Sequence, residues 1–373
     1  MKKSGAPGQT PRSKDSHRSS PVQIYFDPAQ LGHKPQQFMV AGRIVAPFEV
    51  PERADRLAAR LREAGHDVQP PAAFDPMPAI AQVHPAHYTD FLSGAHRAFQ
   101  AIANAGPEVL PNVHPHVSGS RDGAERGPCP AASVVGRAGW YLGDMACAIG
   151  PASWSAAKAS AQSAIAAADA VAAGSRHAMA LCRPPGHHAY RDRASGFCFL
   201  NNAAIAVGVL QKRFRRIAIV DFDTHHGDGT QAIFYGNASV LVASTHTDPS
   251  AYYPFYIGYE HERGIGAGLG TNLNVPLAEG SGDNAFLAAN HQLLAAVDTF
   301  APDAIIVSAG WDAHRDDPLS KLDVTTEAYA ALGDLLGQRA EPIVILQEGG
   351  YSLTAIEQAA VTFLDRFEAA RSG

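Results

Sequence analysis

Five short apolar runs punctuate the chain from residue 177 onward: HAMALC (177–182), IAIVDF (217–222), VLVAST (240–245), AIIVSAG (304–310) and PIVILQ (342–347). Each is continuous rather than alternating and rich in Val, Ile, Leu and Ala. That pattern fits strands of a parallel sheet buried on both faces. Helical patterns lie between several of them, near 201–213, 282–300 and 325–339, and Phe286, Leu293, Leu294, Val297 and Phe300 share one helical face. Strand alternating with helix predicts an α/β fold: a doubly wound, mostly parallel sheet flanked by helices.

Upstream, VQIYF reads as a strand. Residues 51–65 read as a helix with Pro51 in the first turn and Gly65 at the end, and an alanine-rich helix over 153–173 is stopped by Gly174. Residues 1–20, rich in Ser, Gly, Pro, Lys and Arg, are expected to be a disordered tail. Residues 21–373 are then a single domain, with a loop insertion at about 95–135 where Gly, Pro, Asn and Ser accumulate.

Hydrophobic residues make up 46% of the chain and charged residues 18%, which allows a sizeable core. The net charge of −6 lacks the basic footprint of nucleic-acid binding. No apolar span is long enough for a membrane helix, and the N-terminus lacks the apolar core of a signal peptide. The four cysteines form no C-x-x-C pair. A reducing, cytoplasmic setting is expected.

Every polar cluster in this stretch follows an apolar run. HAMALC leads into RPPGHHA, IAIV into DFDTHHGD, AIIVSAG into WDAHRDDP, and PIVILQ into EGGY. In open parallel sheets ligands bind outside the carboxyl ends of the strands, so four distant segments are expected to meet at one rim. In DFDTHHGD, strand alternation would turn Asp221, Asp223 and His225 to the same side. Two carboxylates and an imidazole crowded together are costly without a cation. The alternatives are a hydrogen-bonded polar turn or a divalent metal site. Zinc suits mixed His/Asp ligands and keeps an open position in catalytic sites. Asp312, also following a buried strand, is the natural third ligand.

His187 and His188, adjacent after a rigid Pro-Pro-Gly turn, offer an acid and a base beside such a site. Asp221 and Asp228 can fix their tautomers. Tyr351, after two glycines, can donate to a developing oxyanion. Glu348 is equally compatible with a structural role. Cys182 and Cys198 read as small buried hydrophobes. GIGAGLGT (264–271) has no strand leading into it and reads as a loop rather than a phosphate cradle, while YYPFY (252–256) suits either core or pocket wall.

RPPGHHA, SGFCFLNNAAIA, DFDTHHGDGTQAIFY, GWDAHRDDPL and QEGGY, in that order, resemble the zinc-dependent histone deacetylase superfamily. GRIVAPFEVPERADRLAARLREAGHDV, QVHPAHYTDFL and AIGPASWSAA resemble its bacterial acetylpolyamine amidohydrolase branch. The resemblance implies an arginase/deacetylase-like fold and one zinc ion per chain on Asp223, His225 and Asp312. It also implies catalytic roles for His187, His188, Asp221, Asp228 and Tyr351. A structural potassium ion is implied at Asp221, Asp223, His225, Ser244 and Thr245, largely through backbone oxygens. An acyl channel is implied at Gly196, Phe197 and Tyr253. An acidic residue holding the distal ammonium is implied too: Val134 and Val135 stand where the branch carries it, which leaves Glu108, Asp122 and Glu125. The implied substrate is a small acetylated amine, and the long insertion implies a homodimer.

The expected reaction is hydrolysis of the acetamide of N-acetylated polyamines or diamines, with His188 as first choice for general base. Three other readings compete: a protein acetyl-lysine deacetylase, a zinc protein that binds without turnover, and a binuclear manganese ureohydrolase. The last would need more bridging carboxylates than D-A-H-R-D-D supplies.

Overall fold

A computed structural model describes residues 22–115 and 126–372. The expected tail, Asp122 and Glu125 lie outside these residues. Ten strands are present among them: β1 (Gln23–Tyr25), β2 (Phe38–Val40), β3 (Arg43–Val45), β4 (Asp67–Gln69), β5 (His177–Ala180), β6 (Ile217–Asp221), β7 (Val240–Thr247), β8 (Asn272–Leu277), β9 (Ala304–Ala309) and β10 (Ile343–Gln347). Eight form one sheet in the order β4-β1-β5-β10-β9-β6-β7-β8, and every pairing in it is parallel. β2 and β3 form a separate antiparallel hairpin.

The five apolar runs are β5, β6, β7, β9 and β10, and VQIYF holds β1. The sheet also has two strands that no apolar run announces, β4 and β8. Both are edge strands. β4 is only three residues, DVQ, and β8 carries Asn272, Asn274 and Pro276 among its apolar positions. An edge strand needs no second apolar face and tolerates proline. The signal that finds doubly buried strands therefore passes over it.

Helices cover both faces, and alternate residues of each central strand feed opposite cores. Ile217 and Ile219 of β6, with Val344 and Leu346 of β10, pack with helices Ser153–Ala173 and Asn202–Leu210. Ala218, Val220, Ile343 and Ile345 pack on the other side, with helices Glu52–Ala64, Asp283–Phe300, Thr326–Gly337 and Leu353–Ser372. Helix Glu52–Ala64 follows Pro51 and ends on Gly65, whose φ of 98° is the left-handed cap that glycine adopts without a Cβ penalty. The expected insertion begins inside a helix, since Ala86–Gln100 runs past residue 95. Described residues from 101 to 133 are irregular apart from a bridge between Val109 and Ile149, and helix Val134–Tyr141 follows.

Candidate active site

β5, β10, β9 and β6 are consecutive in the sheet. The four polar clusters leave the carboxyl ends of these four neighbours, so topology alone brings them to one rim. β6 ends at Asp221. Residues 223–227 therefore lie in the turn beyond the strand and Asp228 opens the helix Asp228–Phe234, so the alternation argument does not apply to them. Local hydrogen bonds place them instead. Asp221 Oδ1 accepts from Asp223 N at 3.0 Å, and Asp223 Oδ1 accepts from His225 N at 2.9 Å.

Asp223, His225 and Asp312 converge: one ligand atom from each lies within 4.8 Å of the others, and all three residues are buried. His225 Nδ1 is 3.1 Å from both Asp223 Oδ1 and Asp312 Oδ2. The remaining carboxylate oxygens are held from outside, Asp223 Oδ2 by Gly349 N at 2.8 Å and Asp312 Oδ1 by Thr224 N at 3.0 Å. A Cβ on Gly349 would run into both aspartates, and one on Gly310 into Asp223. The donor set fits a divalent cation: two carboxylates and an imidazole, buried, pre-oriented and crowded to a distance they would avoid without positive charge. Burial opposes charge on His225, yet Tyr252 and the two carboxylates raise its pKa well above the ordinary value. Asp223 is held below the usual carboxylate range despite its burial, mainly by His187 and His225.

The tandem histidines form two separate dyads. His187 Nδ1 meets Asp221 Oδ2 at 3.0 Å, and His188 Nδ1 meets Asp228 Oδ1 at 2.6 Å. Tyr190 donates to the other oxygen of Asp228 at 2.8 Å. The rings lie 4.0 Å apart, centroid to centroid, and their environments differ. Burial disfavours a charged His187, but Asp223 and Asp221 raise its pKa to about 10. Burial and the adjacent His187 lower His188 to about 4, against the pull of Asp228. Neighbouring titratable groups pushed apart in this way are suited to different proton-transfer roles.

A cavity of about 300 Å³ opens over the triad and is lined by His188, His225, Tyr351, Gly196, Phe197 and Tyr253. Phe197 follows Gly196 in a pair of left-handed residues, with φ of 52° at Gly196 and 68° at Phe197. A Cβ on Gly196 would strike the His188 ring. The Phe197 ring packs 5.7 Å from Tyr351 and 5.2 Å from Phe38 of the β2–β3 hairpin. Tyr252 and Phe255 complete the wall, so YYPFY belongs to the pocket rather than the core.

Ser244 is the register partner of Asp221 on β7, and its hydroxyl is 2.8 Å from His246 Nδ1. The Thr245 side chain instead donates to Val275 O. Glu108 is displaced from its expected place at the mouth. It is buried and accepts from Gln36 N at 3.0 Å, a site for fastening the chain before β2 rather than for meeting a substrate. A carboxylate flanked by irregular chain is legible as acidic, but not which backbone amide will claim it.

Four further residues shape the site, and three of them lie inside segments already quoted: Arg53 in PERADRL, Asp317 in WDAHRDDP and Glu348 in EGGY. Arg53 donates to the backbone oxygens of Glu348 and Gly350 on either side of Gly349, and to Glu49 at 2.9 Å. Asp317 Oδ2 accepts from Tyr351 N at 2.6 Å and Ser352 N at 2.8 Å; burial and nearby Asp312 push its pKa up to about 6. Glu348 Oε2 accepts from Gly186 N at 2.6 Å and His187 N at 3.1 Å, and burial raises it to about 7. Asp144 borders the cavity beside Gly196 and Tyr253. One signal was available for Arg53. It shares the i, i+4 spacing of Leu57 and Leu61, so an arginine sits in the apolar stripe of its helix.

Cys182 and Cys198 are buried, which drives their thiol pKa values well above the ordinary range. All four cysteines are free. No helix among the described residues is long and apolar enough to cross a membrane.

A family model for the histone deacetylase domain matches residues 47–367. Acetylpolyamine amidohydrolase of Burkholderia pseudomallei is 44% identical over 348 residues, covering 93% of this chain and 99% of the relative. Acetylpolyamine amidohydrolase 1 of Pseudomonas aeruginosa is 40% identical over 351 residues, covering 94% and 99%. The crystal structure of acetylpolyamine aminohydrolase from Burkholderia pseudomallei superposes with a TM-score of 0.88 at 43% identity, covering 94% of this chain and 99% of that one. The HDA15 HD domain superposes with a TM-score of 0.75 at 29% identity, covering 93% and 90%. A parallel sheet whose four central strands deliver a buried Asp-His-Asp set, two His-Asp dyads and a tyrosine to one cavity, matched along nearly its whole length by such relatives, places this chain in the histone deacetylase family.

Proposed function

We propose that this chain hydrolyses the acetamide of N-acetylated polyamines or diamines to the free amine and acetate. One observation carries the chemistry: Asp223, His225 and Asp312 converge under the same 300 Å³ cavity that His188 and Tyr351 line. The relatives of near-equal length, named acetylpolyamine amidohydrolases, support the substrate class.

Asp223, His225 and Asp312 would hold a single zinc ion. When bound, such an ion polarises an acyl oxygen and lowers the pKa of water. The chain's own groups do the rest. Tyr351 donates its hydroxyl proton as a hydrogen bond to the acyl oxygen as negative charge grows there. His188 faces the cavity with Nδ1 bound to Asp228, which leaves Nε2 to take a proton from the attacking water. A C–O bond forms and the C–N bond breaks. The proton on His188 passes to the departing nitrogen, giving amine and acetate. His187, turned to Asp221, stabilises the developing charge and orients its neighbour.

The Asp221–Ser244 register next to this site supports a structural potassium ion there. Exposed Met39, Val40, Ile44 and Phe48 on and beside the hairpin support a homodimer, since contiguous apolar surface of this kind favours association. A cytoplasmic enzyme acting on small molecules, with neither nucleic acid nor membrane as partner, fits the composition. The deciding experiment is a deacetylation assay on acetylated diamines, polyamines and lysine peptides, with metal content measured on the same sample. Turnover concentrated on acetylputrescine, acetylcadaverine or acetylspermidine is the expected result. Preference for the peptides would make the chain a protein deacetylase, and two manganese ions per chain would point to ureohydrolase chemistry.

A further inference from the structure

The Tyr252 hydroxyl is not needed for the proton transfers of His188, yet it sits where three loops meet. Its ring stacks on His225, with centroids 5.2 Å apart and planes inclined by 25°. Its oxygen lies 3.3 Å from His225 Nε2 and donates to Leu319 O. Tyr252, His225 and Leu319 belong to the loops beyond β7, β6 and β9, three neighbouring strands of the sheet. Leu319 is itself anchored: its N–H donates to Asp317 Oδ1 at 2.9 Å, and the other oxygen of Asp317 holds Tyr351 N. A phenylalanine at 252 would fill the same stretch of cavity wall and stack in the same way, so packing does not account for the hydroxyl.

Proton counting does. A phenol has one hydrogen to give, and a backbone oxygen has none. The Tyr252 hydrogen goes to Leu319 O, which leaves the phenol oxygen to accept. The hydrogen between it and His225 therefore sits on Nε2. A neutral imidazole carries hydrogen on one nitrogen only, so Nδ1 is left with a lone pair. Nδ1 is the nitrogen turned toward Asp223 Oδ1 and Asp312 Oδ2, 3.1 Å from each, at the place where the three candidate ligands converge. The opposite tautomer would put a hydrogen into that place and set Nε2 and the phenol oxygen lone pair to lone pair. A hydroxyl that gives its own hydrogen to a carbonyl is also polarised into a better acceptor.

Resting on the reading of Asp223, His225 and Asp312 as a zinc site, we propose that Tyr252 is a positioning residue for the metal. Its hydroxyl, committed to Leu319 O, holds His225 in the Nε2–H tautomer and so presents the Nδ1 lone pair to zinc. The wall of the substrate cavity and the orientation of a metal ligand are then set by one side chain.

The test reads zinc rather than turnover, in wild type, Tyr252→Phe, Tyr252→Ala and Asp312→Asn. Release of zinc from the holoenzyme into an excess of chelating dye gives the dissociation rate, and equilibrium competition with the same dye gives Kd. Tyr252→Phe keeps the ring and removes only the hydroxyl. It should raise the zinc Kd by roughly ten- to a hundredfold, the range for loss of a partner that orients a metal-bound histidine, and should do so mainly through faster release. The zinc-free forms of wild type and Tyr252→Phe should melt close together, and the zinc-loaded forms should separate. A hydroxyl that merely stapled two loops would lower both melting temperatures alike and leave Kd unchanged; that result overturns the inference. So does a wild-type Kd in Tyr252→Phe with weakened binding only in Tyr252→Ala, since the ring alone would then matter. Wild-type protein that binds no zinc, or Asp312→Asn that holds it as tightly as wild type, would overturn the metal reading and this inference with it. One zinc per wild-type chain, weakened in Asp312→Asn but not in Tyr252→Phe, would overturn the inference alone.

Discussion

The Arg53 guanidinium carbon lies 4.4 Å from the centre of the Tyr351 ring, and the same guanidinium donates to the backbone oxygens of Glu348 and Gly350. One buried cation therefore grips both the ring and the backbone that carries it. Asp317 grips the other side of that backbone through Tyr351 N. Arg53→Met keeps much of the volume but leaves two buried carbonyls unpartnered and deprives Glu49 of a counter-ion. A buried charge stripped of one partner is strongly destabilising. We expect a lower melting temperature and a fall in kcat of roughly ten- to a hundredfold from a loosened Tyr351. Arg53→Lys should recover little of it, because an ammonium cannot reproduce the planar fork. Thermal unfolding and steady-state kinetics on both variants check this, and full activity in Arg53→Lys would refute it.

Tyr351→Phe isolates the hydroxyl. The ring keeps its packing on Phe197 and Arg53, so folding should be unaffected. Losing one oxyanion donor costs about a hundredfold or more in kcat, and KM should change little because the bond strengthens only as charge develops. A variant with near-normal turnover would remove Tyr351 from the mechanism.

The sheet and the chemistry were legible for the same reason. Doubly buried parallel strands must be apolar without interruption, so β5, β6, β7, β9 and β10 stand out, and each abrupt return to Asp, His or Glu marks a strand's carboxyl end. β4 and β8 stayed hidden because edge strands need not follow that rule. Residues acting through side chains at conspicuous spacing, such as His187 and His188, could be named. Arg53, Asp144 and Asp317 could not, because their work is to bind backbone amides, carbonyls or a distant ring, and only the folded chain shows which of those lie within reach. Glu108 shows the converse: its charge was plain from the sequence, while the Gln36 amide that claims it was not.

Removal of the metal should abolish activity and also lower stability. Asp223 and Asp312 are both fully buried and share one partner, His225 Nδ1. Without a cation the carboxylates repel, and the site must recruit protons in its place. Dialysis against a chelator should lower the melting temperature, and stoichiometric zinc should restore it together with activity. A ligand at about a hundred times its Kd adds about 3 kcal/mol to the native state. An apo protein with unchanged melting temperature and undiminished turnover would exclude the triad as a metal site.

Acid sensitivity should trace in part to His84, which is not one of the metal ligands. Its Nε2 accepts from Asn201 N at 2.9 Å, so its Nδ1 must carry the hydrogen that meets Arg191 O at 2.8 Å. The neutral ring uses both nitrogens, and a second proton would face an N–H. Burial lowers its pKa from 6.5 to about 4. The sign follows: the folded state binds this proton less readily than the unfolded chain, so the stabilisation is complete above pH 6.5 and drains away as pH falls toward 4. Between pH 7 and pH 5 the loss from this one group is about 2 kcal/mol. Asp317 and Glu348, whose pKa values are raised, act in the opposite direction over the same range, so the bare pH profile mixes the two. The difference between proteins separates them. His84→Gln, which lacks a titrating ring, should be less stable than wild type at pH 7, but its further loss on going to pH 5 should be smaller by about 2 kcal/mol in urea unfolding. Parallel pH profiles for the two proteins would mean that His84 is protonated as readily in the fold as out of it.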